Sequence, residues 1–90
     1  AGKYGRMQLA HLKNQRPVLY NRMLLNGTLW PHLQDVQKTA CKWLERTMTT
    51  LLDKYPAPSK ERAQLLWVAH MNGLKAQAEE VVVREVVYAE

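Results

Sequence analysis

Few side chains in this sequence could ligate a metal or break a bond, and their spacing keeps them apart. His11, His32 and His70 are widely separated, and none stands four residues from another histidine, a carboxylate or a thiol. A pair at that spacing is how one helix presents two ligands to a single metal ion. The glycines at 2, 5, 27 and 73 are scattered, so no glycine-rich loop cradles a phosphate. Cys41 is the only cysteine, which excludes an intramolecular disulfide and a thiolate cluster. It follows Ala40 in the middle of a helical pattern, where a small, inert core residue is expected. The chain therefore reads as a non-enzyme without metal or cofactor, and the chemistry left to it is that of charge.

That charge is unevenly placed. The formal net charge is +5. Residues 1–34 contain Lys3, Arg6, Lys13, Arg16 and Arg22 and no acid, whereas residues 35–90 carry eight basic and eight acidic side chains. A one-signed surface attracts phosphates or an acidic protein. The five cations are the candidate nucleic-acid contacts, and phosphate contacts of this kind position a protein without reading sequence. Trp43 and Trp67 fall on apolar faces and are expected in the core rather than as base-stacking platforms. Trp30, before Pro31 at a helix start, is the one aromatic of this kind that could face solvent.

The elements that carry these residues are helical. From Leu29 the apolar residues fall at Leu33, Val36, Ala40, Trp43, Leu44, Thr47, Met48, Leu51 and Leu52, which is one face of an α-helix. Gln34, Asp35, Lys38, Lys42, Glu45, Arg46 and Asp53 make the solvated face. Such a helix is stabilised mainly by packing its stripe, so it needs a partner. The partner is a second helix returning antiparallel after Tyr55-Pro56-Ala57-Pro58. Upstream, residues 3–14 form a helix with Tyr4, Met7, His11 and Leu12 on one face and Arg6 and Lys13 aligned on the other. A short helix follows over residues 17–26, opened by Pro17 and stopped by Gly27 in a left-handed conformation. Its apolar side chains, Val18, Leu19, Tyr20, Met23, Leu24 and Leu25, occupy nearly the whole circumference, which predicts burial.

Thr28 is expected to cap the helix over residues 29–54, and Ser59 the helix over residues 60–88. Gly73 inside that last helix costs about 1 kcal/mol against alanine, so a close helix crossing is expected there. The last helix carries one stripe through Ala63, Trp67, Met71, Leu74, Ala78, Val81 and Val82. Its other stripe runs through Leu65, Ala69, Ala76, Val83 and Val87. Two apolar faces need two neighbours, and Leu65, Val83 and Val87 are the candidate protein interface, for a partner or for self-association. The valine-rich end favours strand by propensity, but the chain offers no second strand to pair with it. The expected fold is all-α: one domain, a small four-helix bundle built on a long antiparallel hairpin covered by two shorter N-terminal helices.

Apolar residues make up 47% of the chain, ordinary for a globular protein. No apolar run reaches the length of a membrane span, and no secretory leader opens the sequence. A cytoplasmic protein with no membrane partner is expected. A helix-turn-helix is the arrangement that would turn this basicity into DNA recognition. The helix after Pro17 leaves only Asn21 and Arg22 polar and fails as a recognition helix. The one after Gly27 places His32, Gln34, Gln37 and Lys38 near its start but is twice the usual length.

Gly2-Lys3-Tyr4-Gly5-Arg6-Met7, Leu19-Tyr20-Asn21, Gly27-Thr28-Leu29-Trp30-Pro31-His32, Ala69-His70-Met71-Asn72 and Ala76-Gln77-Ala78-Glu79-Glu80 together resemble the TnpV family of small transposon-encoded proteins. The likeness runs through nearly the whole chain in the same order. Family members carry a short leader before the Gly-Lys-Tyr-Gly stretch, whereas this chain starts at Ala1, a departure that points to trimming. The resemblance implies an accessory role for a mobile genetic element in a bacterial cytoplasm, and no reaction. It leaves open whether Tyr4, Arg6, Tyr20, Asn21, His70 and Asn72 act in function or in an interior polar network. Two functions follow. One is binding of DNA or a nucleoprotein complex through the basic N-terminal third. The alternative is a helical protein-interaction module meeting an acidic partner, for example an inhibitor of a host defence nuclease of the anti-CRISPR type.

Overall fold

The computed structural model describes residues 2–89, and among them every regular element is a helix. In chain order these are α1 (Lys3–Gln15), α2 (Pro17–Asn26), α3 (Leu29–Lys54) and α4 (Gln64–Val82). A single π-helical turn, Val83–Val87, continues α4. Helices α3 and α4 pack as the long hairpin, and the molecule measures 55 × 19 × 19 Å. Helix α1 lies against α3 and the π turn, whereas α2 touches α1 and α3 but not α4. The arrangement is thus a hairpin with α1 docked at one end and α2 as an outrigger, rather than four mutually packed helices.

Two small cores follow from this. Tyr4, Val36, Ala40, Val82 and Val87 form one, with Met7, Leu44, Val83 and Val86 packed around them. Leu12, Leu29 and Leu33 form the other, flanked by Leu9, Leu19, Tyr20 and Met23. The first sits where α1 meets α3, α4 and the π turn, and the second where α1 and α2 meet the start of α3. Leu44 still packs on the first core, but Trp43 is 40% exposed rather than buried as its spacing predicts. Trp67 is half-buried, with the Lys60 ammonium 4.8 Å above its ring. Trp30 is exposed, as its position at the start of α3 predicts.

Several expectations change for local reasons. Helix α2 has no buried residue, because α4 never reaches it. Only Leu19, Tyr20 and Met23 turn inward, while Val18 is 73% and Leu25 is 87% exposed. Gly27 does stop α2 in the left-handed region, at φ 77°. The Thr28 hydroxyl does not cap α3, since it donates to Asn26 Oδ1 at 2.6 Å. Ser59 caps only an isolated turn: its Oγ accepts from the Arg62 N–H and its carbonyl from the Ala63 N–H. Helix α4 accordingly begins at Gln64, later than predicted. Gly73 faces open space, so no close crossing explains it.

The π turn explains the largest difference. On an ordinary helix, residues five apart are rotated by roughly 140°, which separates Val82 from Val87. The Tyr88 N–H instead bonds to the Val83 carbonyl, five residues back, at 2.9 Å. This wider turn brings Val82 and Val87 onto the same side, and both are fully buried in one core. Val87 is therefore core, not interface.

Candidate nucleic-acid interface

Helix α1 sorts its side chains by angle. Tyr4, Gly5, Gln8 and Leu12 face the hairpin, and Arg6, Ala10 and Lys13 lie on the opposite side in solvent. Arg6 and Lys13 are about 10 Å apart along the axis. The Lys13 ammonium stands 5.6 Å from the centre of the Tyr20 ring, a cation–π contact that ties the line to α2. At the α1–α2 corner Arg16 and Arg22 border the same two clefts, so the turn at Pro17 brings them together. Among the described residues no carboxylate pairs with Arg6, Lys13 or Arg22.

Lys3 belongs elsewhere. Its ammonium lies 2.7 Å from Glu79 Oε2 on α4, and the Tyr4 hydroxyl donates to the same oxygen at 3.2 Å. The hydrogen bond from Lys3 is the main reason the Glu79 carboxyl sits below its ordinary pKa, burial pulling the other way. Tyr4 is pushed up to about 12, first by burial and then by the Glu79 charge. Beside this junction Gln37 of α3 caps α1. Its Oε1 accepts the backbone N–H groups of Tyr4 at 2.8 Å and Gly5 at 3.1 Å. Gly2 supplies no capping side chain, and a Cβ on it would lie 2.5 Å from Gln37 Cδ. Sequence reasoning missed Gln37 and Glu79, since a polar residue on a helix's solvated face carries no sign of a distant partner.

The other candidates scatter. Leu65 is exposed near the start of α4, Val83 is half-buried beside the core and Val87 is inside it, so the three share no surface. Cys41 is exposed rather than core, and Gln37 Nε2 donates to its sulfur at 3.3 Å. His70 Nε2 lies 2.7 Å from the Tyr55 carbonyl oxygen, pinning α4 to the end of α3. Asn21 and Asn72 are exposed. Among the described residues no group of histidines, cysteines and carboxylates could hold a metal ion. Among the described residues no helix is long and apolar enough to cross a membrane.

An all-α hairpin with two docked N-terminal helices and a cationic outer edge is the class of protein these observations define. The chain belongs to the TnpV family, whose model, described as transposon-encoded protein TnpV, matches residues 1–87. No curated protein and no solved structure matches it. The family is transposon-associated, and several residues that carry the likeness have structural work in this fold. Gly2, Lys3, Tyr4 and Glu79 build the α1–α3–α4 junction, and Gly27 ends α2.

Proposed function

We propose that this chain is a non-enzymatic accessory protein of a mobile genetic element, binding DNA or a nucleoprotein complex through the outer edge of α1 and α2. The observation that supports this reading is the outward line of Arg6 and Lys13, continued by Arg22, with no described carboxylate paired to them. Lys3 is left out, because its charge is already answered by Glu79. Such an edge contacts phosphates and binds many sequences alike.

Each phosphate neutralised releases counterion, with a log–log salt slope of about −0.9 per contact. Three or four contacts correspond to an affinity loss of about 40- to 150-fold over a fourfold rise in salt. Titrating a duplex of arbitrary sequence at two salt concentrations tests this. Arg6→Ala and Lys13→Ala should each reduce the slope by about one, and Lys3→Ala should leave it unchanged. Absence of binding at low salt removes the reading. One observation favours the alternative, a protein-interaction module such as an inhibitor of a host defence nuclease. Val18 and Leu25 form an exposed apolar ridge on α2 that a partner protein would cover. That role predicts binding that survives nuclease treatment and is abolished by Leu25→Asp.

A further inference from the structure

Between α1, α2 and the first turn of α3 lies a cleft of about 480 Å³, within the size range of small-molecule sites. Three features of its lining restrict what fits there. Among the described residues no carboxylate borders it, whereas Arg16 and Arg22 both do. Arg16 already has an interaction of its own, which leaves Arg22 as the cation for an anion. Leu12, Leu19 and Met23 give the cleft an apolar wall. Gln8 also lines it, is only 7% exposed, and its side-chain carbonyl oxygen has no hydrogen-bond partner. A buried acceptor left unmatched is costly, so a ligand donor that reached it would be favoured.

An anion for the guanidinium, an apolar body for the wall and an N–H for the Gln8 oxygen match the phosphate, the base and the base's amino group of a nucleotide. We infer that this cleft binds a purine nucleotide, with phosphate on Arg22, the base against Leu12, Leu19 and Met23, and the exocyclic amino group donating to Gln8. A glutamine side chain is a natural partner for the amino edge of adenine. Because the carbonyl oxygen is covered, binding includes a side-chain movement that uncovers it. The nucleotide is either a free mononucleotide or the terminal nucleotide of a DNA strand. The inference goes beyond the outer cationic edge and shares only Arg22 with it, since Arg6 and Lys13 lie on the far side of α1.

The test is calorimetric titration of adenosine 5′-monophosphate into the full chain. Saturable binding is expected, weakened about tenfold or more by Arg22→Ala, a substitution at an exposed position. Ribose 5-phosphate, which keeps the phosphate and lacks the base, should bind about tenfold more weakly. Gln8→Met should weaken the nucleotide without weakening ribose 5-phosphate, and Arg6→Ala should change neither. Displacement of the mononucleotide by a duplex with a 5′-phosphorylated adenine overhang, but not by its 5′-hydroxyl form, assigns the site to a strand end. No displacement by either assigns it to the free nucleotide. The inference is overturned by the absence of saturation up to about 10 mM, by equal affinity for ribose 5-phosphate, or by an Arg22→Ala variant that binds normally. Salt-dependent duplex binding that persists in that case leaves the outer-edge reading standing while this one falls.

Discussion

Gln37 gives α1 the cap that its own sequence lacks. Two of the N–H groups that no helix can satisfy internally are answered by one amide oxygen from a different helix. Gln37→Ala should destabilise the fold by about 1–2 kcal/mol in denaturant unfolding, the usual cost of a lost cap. Gly2→Ala should act in the same direction, since its Cβ would displace the Gln37 amide. The neighbouring Tyr4–Glu79 contact predicts two pH effects of opposite sign. Tyr4 titrates at 10.0 when exposed and about 12 when folded, so its contribution is intact below pH 10 and is lost as pH rises through 12. Glu79 is depressed below 4.5, so its contribution is present above that value and disappears as pH falls through the lower folded pKa. Thermal melts across pH should show both declines. Tyr4→Phe should remove the alkaline one.

At the scale of elements, α4 holds the clearest contrasts. Gly73 faces solvent in mid-helix with nothing within 4 Å of where a Cβ would stand. Gly73→Ala should therefore raise stability by about 0.5–1 kcal/mol, read as a higher denaturant midpoint. The π turn makes the opposite prediction for two adjacent valines. Val87 is fully buried and Val86 only partly so. Val87→Ala should cost about 2 kcal/mol or more through the cavity it leaves, and Val86→Ala distinctly less. A regular α-helix through this segment would place Val86, four residues after Val82, in the core and reverse that order.

For the whole molecule, the 55 Å length against a 19 Å width means that the two cores occupy only the end where α1 and α2 dock. The far end is a bare hairpin, held by α3–α4 contacts and the His70–Tyr55 bond. Substitutions should follow this division. Leu65→Glu, at an 86% exposed position, should leave circular dichroism unchanged and shift stability by no more than about 0.5 kcal/mol. Val87→Glu places a charge in the core and should unfold the chain at 25 °C. The same division keeps the cationic edge and the apolar ridge of α2 on the covered end.

The number of helices, the all-α class, the boundaries of α1, α2 and α3 to within a residue, and the outward line of Arg6 and Lys13 were legible in the residues alone. Those features depend on local forces: the 3.6-residue period, Pro17 and Gly27 at helix ends, and the opposite placement of charged and apolar groups on one wheel. The sequence could not reveal which apolar face lacks a partner. Periodicity marks a stripe but not its neighbour, so the whole of α2 and Trp43 read as core although Val18, Leu24 and Leu25 stay exposed and Trp43 is only partly covered. Nor could it reveal that Gln37 caps a helix about 30 residues away, or that Lys3 is spent on Glu79. Such pairs are set by the packing of three helices. Val87 was settled by a change of helical pitch near the chain's end, where a five-residue turn lets one more valine into the core than a four-residue turn would.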